Sequence, residues 1–286
     1  MHSFPSFALR LLARLPLPAL HALGNVLGWA IYGISPTYRR HLVENLRLAG
    51  YTDSRTRREA IASAGRMIAE WPAIWLRPRA EVTRWVKRID GEELPRAAHA
   101  AGKDLVFLTP HHGCFEITPQ VLAQHIPVTI LYRPPKLRFL QPLIEQGRGR
   151  DNVRLASADL GGVRQLLATL RRHEPVGILP DQVPGEGEGE WAEFFGRPAY
   201  TMTLAGKLAQ RPNTATFLAF CERLPRGAGY VIHLRELPAP LAGETSARRI
   251  NRAVEALVRE RPGQYLWGYN RYKSPARAKS GSDALE

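Results

Sequence analysis

From residue 104 onward, apolar and polar positions alternate in blocks too short for a helical bundle. Leu105-Val106-Phe107-Leu108 is an unbroken apolar run closed by Thr109-Pro110, which predicts a buried strand ending in a turn. Further strands are predicted at 127–132, 153–156 and 176–179, separated by helices over 116–125, 137–146 and 160–172. A helix over 203–210 precedes strands at 215–220 and 230–234, which read as a hairpin. A helix over 247–261 leads to a last strand at 265–269. Residues 37–103 read as mostly helical, with Ile61, Ala64, Ile68, Trp71 and Trp75 near helical spacing. This strand–helix alternation predicts an α/β fold: a largely parallel central sheet flanked by helices. The stretch from Gly185 to Glu190, alternating Gly and Glu, reads as a mobile loop, too flexible for a preformed site. No Gly-Lys-Ser/Thr follows to make it a phosphate loop.

Upstream of that pattern, residues 15–34 contain no Asp, Glu, Lys or Arg and are long enough to cross a bilayer as a helix. Pro16, Pro18, His21, Asn25 and three glycines argue against a spanning segment, and Arg10 and Arg14 against a signal peptide. The expectation is an N-terminal apolar membrane-associating helix within residues 1–36. It would lie in the plane of the membrane with arginines at the headgroups, a single span being the second reading and a buried core helix the plain one. Residues 274–286 are small, polar and charged, and read as a disordered tail.

The 286 residues carry 40 Lys+Arg against 26 Asp+Glu, a net charge of +14. Such a balance favours anionic partners: nucleic acid, anionic lipid or an acidic carrier protein. No nucleic-acid-binding module accompanies it, and no nucleic acid partner is expected. With Cys114 and Cys221 as the whole cysteine complement, a reducing compartment is the default.

The densest chemistry is His111-His112-Gly113-Cys114-Phe115-Glu116, just after the 105–108 strand. Positions i and i+5 of one helix diverge by about 140°. His111 and Glu116 can therefore meet only with His111 in the loop and Glu116 in the first helical turn, a base and its orienting carboxylate at a ligand-binding sheet edge. Other readings stay open: a merely polar turn, a metal held by His112, Cys114 and Glu116, or a Cys114 nucleophile. Three more polar clusters close predicted elements: Tyr132-Arg133-Pro134, Gly147-Arg148-Gly149-Arg150 and Pro180-Asp181-Gln182.

Taken in order, these pieces resemble the lipid A late acyltransferases, the lauroyl/myristoyl family within the lysophospholipid acyltransferase superfamily. The resemblance also takes in Ser35-Pro36, Asn45-Leu46, Phe194-Phe195-Gly196, Ala199-Tyr200-Thr201, Gln264-Tyr265-Leu266-Trp267 and Asn270-Arg271-Tyr272-Lys273. Cys114 stands where asparagine or a small polar residue is common, and Asn270 where arginine is frequent. The resemblance implies a glycerolphosphate-acyltransferase-like fold with an acyltransferase domain over 37–273. The implied reaction transfers an acyl chain from an acyl-carrier-protein thioester to a hydroxyl of a lipid A precursor at the cytoplasmic face of the inner membrane. No cofactor is implied; the acylated carrier protein is a co-substrate, and the partners are carrier protein, anionic glycolipid and membrane lipids. His111 would be the general base oriented by Glu116, and Arg148 would steady developing charge or clamp a phosphate. Arg133, Arg150, Asp181, Gln182 and Arg271 would bind substrate, with Asp181 organising the arginines. Competing readings are a glycolipid or lysophospholipid acyltransferase using acyl-CoA, and a non-catalytic basic protein that binds membrane or nucleic acid.

Overall fold

The computed structural model describes residues 4–134 and 141–275. Its centre is a seven-stranded sheet in the order β1-β9-β8-β2-β5-β3-β4. The strands are β1 (Val86–Asp90), β2 (Asp104–Leu108), β3 (Val128–Tyr132), β4 (Val153–Ser157), β5 (Val176–Ile178), β8 (Thr214–Arg223) and β9 (Tyr230–Glu236). All neighbours run parallel except β8 and β9, which form the expected antiparallel hairpin. Every residue of β2 is buried, as the apolar run requires of a central strand covered on both faces.

Because side chains alternate across a strand, β2 feeds two cores. Val106 and Leu108 pack beneath α9 (Leu160–Leu170), α10 (Thr203–Ala209) and α11 (Ser246–Glu260). Leu105 and Phe107 face α4 (Ser54–Leu76) and α7 (Ile117–Leu122), with Ile74, Trp75, Ile117 and Val121. Helix starts follow local chemistry: Asp53, Asp159 and Thr245 accept backbone N–H groups at the first turns of α4, α9 and α11. Two short helices, α5 (Arg79–Thr83) and α6 (Glu93–Ala100), flank β1.

Several expectations need correction. Residues 37–103 are mostly helical as expected, but they also hold β1, which pairs with β9 at the sheet edge. Its Lys87, Arg88 and Asp90 hide the strand pattern, as suits an edge that must not invite further pairing. The 116–125 helix is shorter, and the helix sought over 137–146 is α8 (Gln141–Arg148), residues 137–140 lying outside the described residues. So do residues 276–286, most of the expected tail.

No strand forms over 265–269. Tyr265 makes one isolated bridge to His112, and the segment clasps the His111 loop instead. Leu266 N–H donates to the His111 carbonyl (3.0 Å) and Gly113 N–H to the Gln264 carbonyl (3.0 Å). Nor is the Gly-Glu stretch free. It runs into β6 (Gly189–Phe194), paired with β7 (Arg197–Met202). The Tyr200 hydroxyl accepts the N–H groups of Gly187 (3.1 Å) and Gly189 (3.2 Å).

The N-terminal apolar segment comprises α1 (Phe4–Ala13) and α2 (Leu17–Ile34), followed by α3 (Pro36–Leu48). One face of α2 is committed to α4. Gly24 and Gly28 meet Gly65 so closely that a Cβ on any of them would strike the opposite backbone. Below this contact, His21 Nε2 lies 2.7 Å from Oε1 of the fully buried Glu70. Arg223 from β8 grips that carboxylate at 2.7 and 2.8 Å and donates to Ser63 at 3.0 Å. Burial opposes the charge on Glu70, but Arg223, aided by His21, outweighs it and holds the carboxyl down at about 2. The opposite face of α2 stays apolar and uncovered, with Leu23, Val26, Trp29 and Ile34 exposed among the described residues.

Candidate active site

At the carboxyl ends of β2, β5 and β3 the sheet opens into a mostly apolar cavity of about 470 Å³, where open α/β sheets usually bind ligands. His111 enters from the loop after β2, Glu116 from the N-terminal end of α7, Arg148 from the end of α8, and Gln182 from the loop after β5. Arg133 lies at the end of β3. Five of the expected residues therefore converge.

The pairing within the site differs from expectation. His111 is held by Asp181, not by Glu116. Its Nδ1 is 2.8 Å from Asp181 Oδ1, and its backbone N–H donates to Oδ2 at 2.9 Å, so one carboxylate fixes both ring and loop. Asp181 is buried behind the histidine. Burial would raise its pKa, but the charge and hydrogen bonds of His111 reverse the sign and keep it below the usual carboxylate range. In the neutral tautomer that donates Nδ1–H to Asp181, Nε2 has the lone pair, 3.1 Å from the Gln182 amide nitrogen. Phe115 sets its ring against the imidazole, centroids 4.7 Å apart.

Glu116 turns the other way. Arg148 Nε donates to Glu116 Oε2 at 2.9 Å and its Nη2 to Oε1, a bidentate pair. Trp75 Nε1 donates to Oε2 at 3.2 Å. The guanidinium lies over the rings of Trp75 and Tyr132, at 5.6 and 5.9 Å. Burial works to lower the Arg148 pKa, yet Glu116 outweighs it and raises it. Within the described residues Nη1 of Arg148 has no hydrogen-bond partner. Trp75 is a residue that the chain pattern had offered only as helix core. What placed it here is Gly147, where any side chain would run into Trp75.

Two expected binding residues do not reach the cavity. Arg150 gives its guanidinium to the carbonyls of Arg77 and of Ile74 (2.7 Å), tying α8 to the end of α4. Arg271 is buried, donating to Tyr200 O (2.8 Å), Thr201 Oγ1 (2.7 Å) and Asn251 Oδ1 (3.2 Å), which locks β7 to α11. Both are engaged as bracing. Arg133 is exposed at the rim, 3.8 Å from Glu188.

The other readings of the histidine segment separate in space. His112 is fully buried against Phe220 (centroids 4.1 Å), and Cys114 lies in the core beneath α4 and α7. With Glu116 on Arg148, these three do not share a centre, and no group of three or more metal-ligating side chains occurs among the described residues. Burial, with the nearby Glu70 charge, pushes the Cys114 thiol well above its ordinary range, the reverse of an activated nucleophile. Burial, with the Arg223 charge, depresses His112 to about 3, so it stays neutral.

The family model for bacterial lipid A biosynthesis acyltransferases matches residues 2–274. A lipid A biosynthesis acyltransferase of Haemophilus influenzae is 26% identical over 94% of this chain and 88% of its own length. A lipid A biosynthesis lauroyltransferase of Escherichia coli is 25% identical over 92% and 88%. A palmitoleoyltransferase of the same pathway in Escherichia coli is 24% identical over 91% and 87%.

Proposed function

The chain belongs to the bacterial lipid A biosynthesis acyltransferases, and from that premise we propose that it carries a fatty acyl chain from an acyl-carrier-protein thioester to a hydroxyl of a lipid A precursor. His111 is the general base in this reading, and Asp181 the residue that positions it. The observation that carries it is the His111 ring, with Nδ1 on a buried carboxylate and Nε2 turned to the cavity.

A thioester is already activated, so the slow partner is the neutral hydroxyl, which needs a base as it attacks. The acceptor displaces the Gln182 amide from Nε2 and gives up its proton there. Asp181 stabilises the resulting imidazolium. The tetrahedral intermediate places negative charge on the former thioester oxygen, for which the Nη1 edge of Arg148 is a donor kept in place by Glu116, Trp75 and Tyr132. Collapse expels the carrier thiolate, and His111 returns the proton to it. Glu116 thus serves through Arg148 rather than through His111.

The lipid face and the charge fit this reading. Leu11, Leu23, Val26, Trp29 and Ile34 present exposed apolar side chains along α1 and α2, with Arg10, Arg14, Arg39 and Arg40 exposed nearby. This is the composition of an in-plane anchor on an anionic surface, which we assign to the cytoplasmic face of the inner membrane. The commitment of the other α2 face to α4 favours that over a span. An acidic carrier protein and a phosphorylated acceptor suit the net charge of +14.

The test is transfer to a lipid A precursor by membranes holding this chain, with acyl-carrier-protein and acyl-CoA donors in parallel. Product is expected from the carrier donor, falling by about 10²–10⁴ in His111→Ala and by less in Asp181→Asn. Product from acyl-CoA alone overturns the donor assignment. An unimpaired His111→Ala overturns the base.

A further inference from the structure

A second, smaller cavity of about 210 Å³ lies on the α7 side of the sheet, walled by Leu105, Val121, Ile232 and Leu234 and bordered by α6. Three side chains, Phe107, Thr118 and Leu122, line both this cavity and the one that holds His111. The two spaces are therefore neighbours across a partition one side chain thick.

The register of the sheet shows how the first cavity reaches that partition. Phe107, Gly177 and Ile130 lie in one row across β2, β5 and β3, on one face of three paired strands. The middle member has no side chain. A Cβ on Gly177 would stand 3.0 Å from Ile130 Cγ2, inside the space the cavity occupies. The result is an apolar trough between the strands and α7, floored by Gly177 and Ile130 and running down to Val128. Phe107 is four residues before His111, a depth of up to roughly 13 Å at about 3.3 Å per extended residue. Among the described residues, those that line the trough below Glu116 (Phe107, Thr118, Leu122, Val128, Ile130 and Gly177) carry no charge.

Resting on the acyl-transfer reading above, we propose that the donor's acyl chain lies in this trough over Gly177 and that Phe107 sets the chain-length limit by closing the passage into the second cavity. Thr118 and Leu122 complete the partition from α7. The occupant of the second cavity is the tail end of an acyl chain longer than the trough can house. The cavity's place directly behind that partition, together with a lining that is apolar apart from Glu92, Arg96, Thr118, His99 and His125, singles out that occupant.

The measurement is a competition between donors of different chain length on one carrier, with product lengths read by mass spectrometry. Phe107→Leu opens the partition and is expected to move the preference to longer chains, by about fourfold for each methylene newly housed. Gly177→Ala raises the floor and is expected to move it to shorter ones. Adding Leu234→Phe to Phe107→Leu refills the second cavity and is expected to cancel the gain. An unchanged length profile in Phe107→Leu, with transfer intact, overturns the inference, as does a gain that survives Leu234→Phe. Phe107→Leu decides alone if Gly177→Ala fails to fold. Absence of transfer by the unsubstituted chain from every donor strikes the acyl-transfer reading instead.

Discussion

Two of the protein's bidentate Glu–Arg pairs stand in opposite settings. Glu70 and Arg223 meet bidentately in the core, with His21 and Ser63 taking remaining bonding positions. Glu116 and Arg148 meet bidentately at the wall of the cavity, with Trp75 bonded to the carboxylate and one guanidinium edge without a partner among the described residues. Both carboxylates are almost fully buried, but Arg148 keeps 22% of its side-chain surface against 1% for Arg223. The sealed pair is closed to any ligand by its burial and joins three elements far apart in sequence. The open pair keeps a donor in reserve. The chemistry of the pair therefore does not tell scaffold from site; what surrounds it does.

The comparison breaks most severely at the sealed pair. Glu70→Gln or Arg223→Met leaves an uncompensated charge in the core and is expected to cost about 3–5 kcal/mol of stability, with α2 loosened from α4 in the same step. Chemical denaturation measures it, and a loss under about 1 kcal/mol would show the pair to be dispensable to the fold. At the open pair, Arg148→Lys keeps the charge but not the two-pronged geometry. Turnover is expected to fall by about 10²-fold at saturating substrate, while the melting temperature moves by only a few degrees. Weaker substrate binding at normal turnover would make Arg148 a binding residue.

The smallest effect is a pH slope. The pKa of His112 falls from 6.5 unfolded to about 3 folded. The unfolded state therefore takes up a proton that the folded state does not. This contribution is whole above about pH 6.5 and is lost as pH falls through that value toward 3. Glu70 adds a second loss between about 4.5 and 2. His112→Phe is expected to flatten stability against pH between 6.5 and 4.5 and to lessen the fall below it, where Glu70 still contributes. An unchanged slope there would mean that the buried imidazole is protonated in the folded protein.

The same contrast explains how far the chain could be read in advance. The sheet was legible because β2 and β5 are buried throughout and β3 is apolar but for Thr129. The edge strand β1 was not, because an edge strand carries charge. His111, Glu116 and Arg148 stood out as polar groups at the ends of apolar runs, and the structure brings all three to one cavity. Their pairing was illegible: Asp181 lies 70 positions beyond His111 and reaches it only because β5 sits next to β2. Spacing along the chain drew attention to Glu116, whereas strand order selects Asp181. Arg150 and Arg271 misled for a related reason. A guanidinium suits an anion and a backbone carbonyl equally, and their carbonyl partners come from remote segments.

The distance along the chain between Glu70 and Arg223, 153 residues, has a consequence for synthesis. At about 5–20 residues per second, the ribosome delivers the arginine roughly 8–30 s after the glutamate. Through that interval α2 and α4 are complete, yet the carboxylate between them has only His21 for company. Part of the sheet waits as well, since β1 and one side of β2 pair with strands that begin after residue 213. The nascent chain therefore passes that interval with its most apolar helix made and its interior unfinished. A nearby bilayer could hold that helix until the last hairpin arrives.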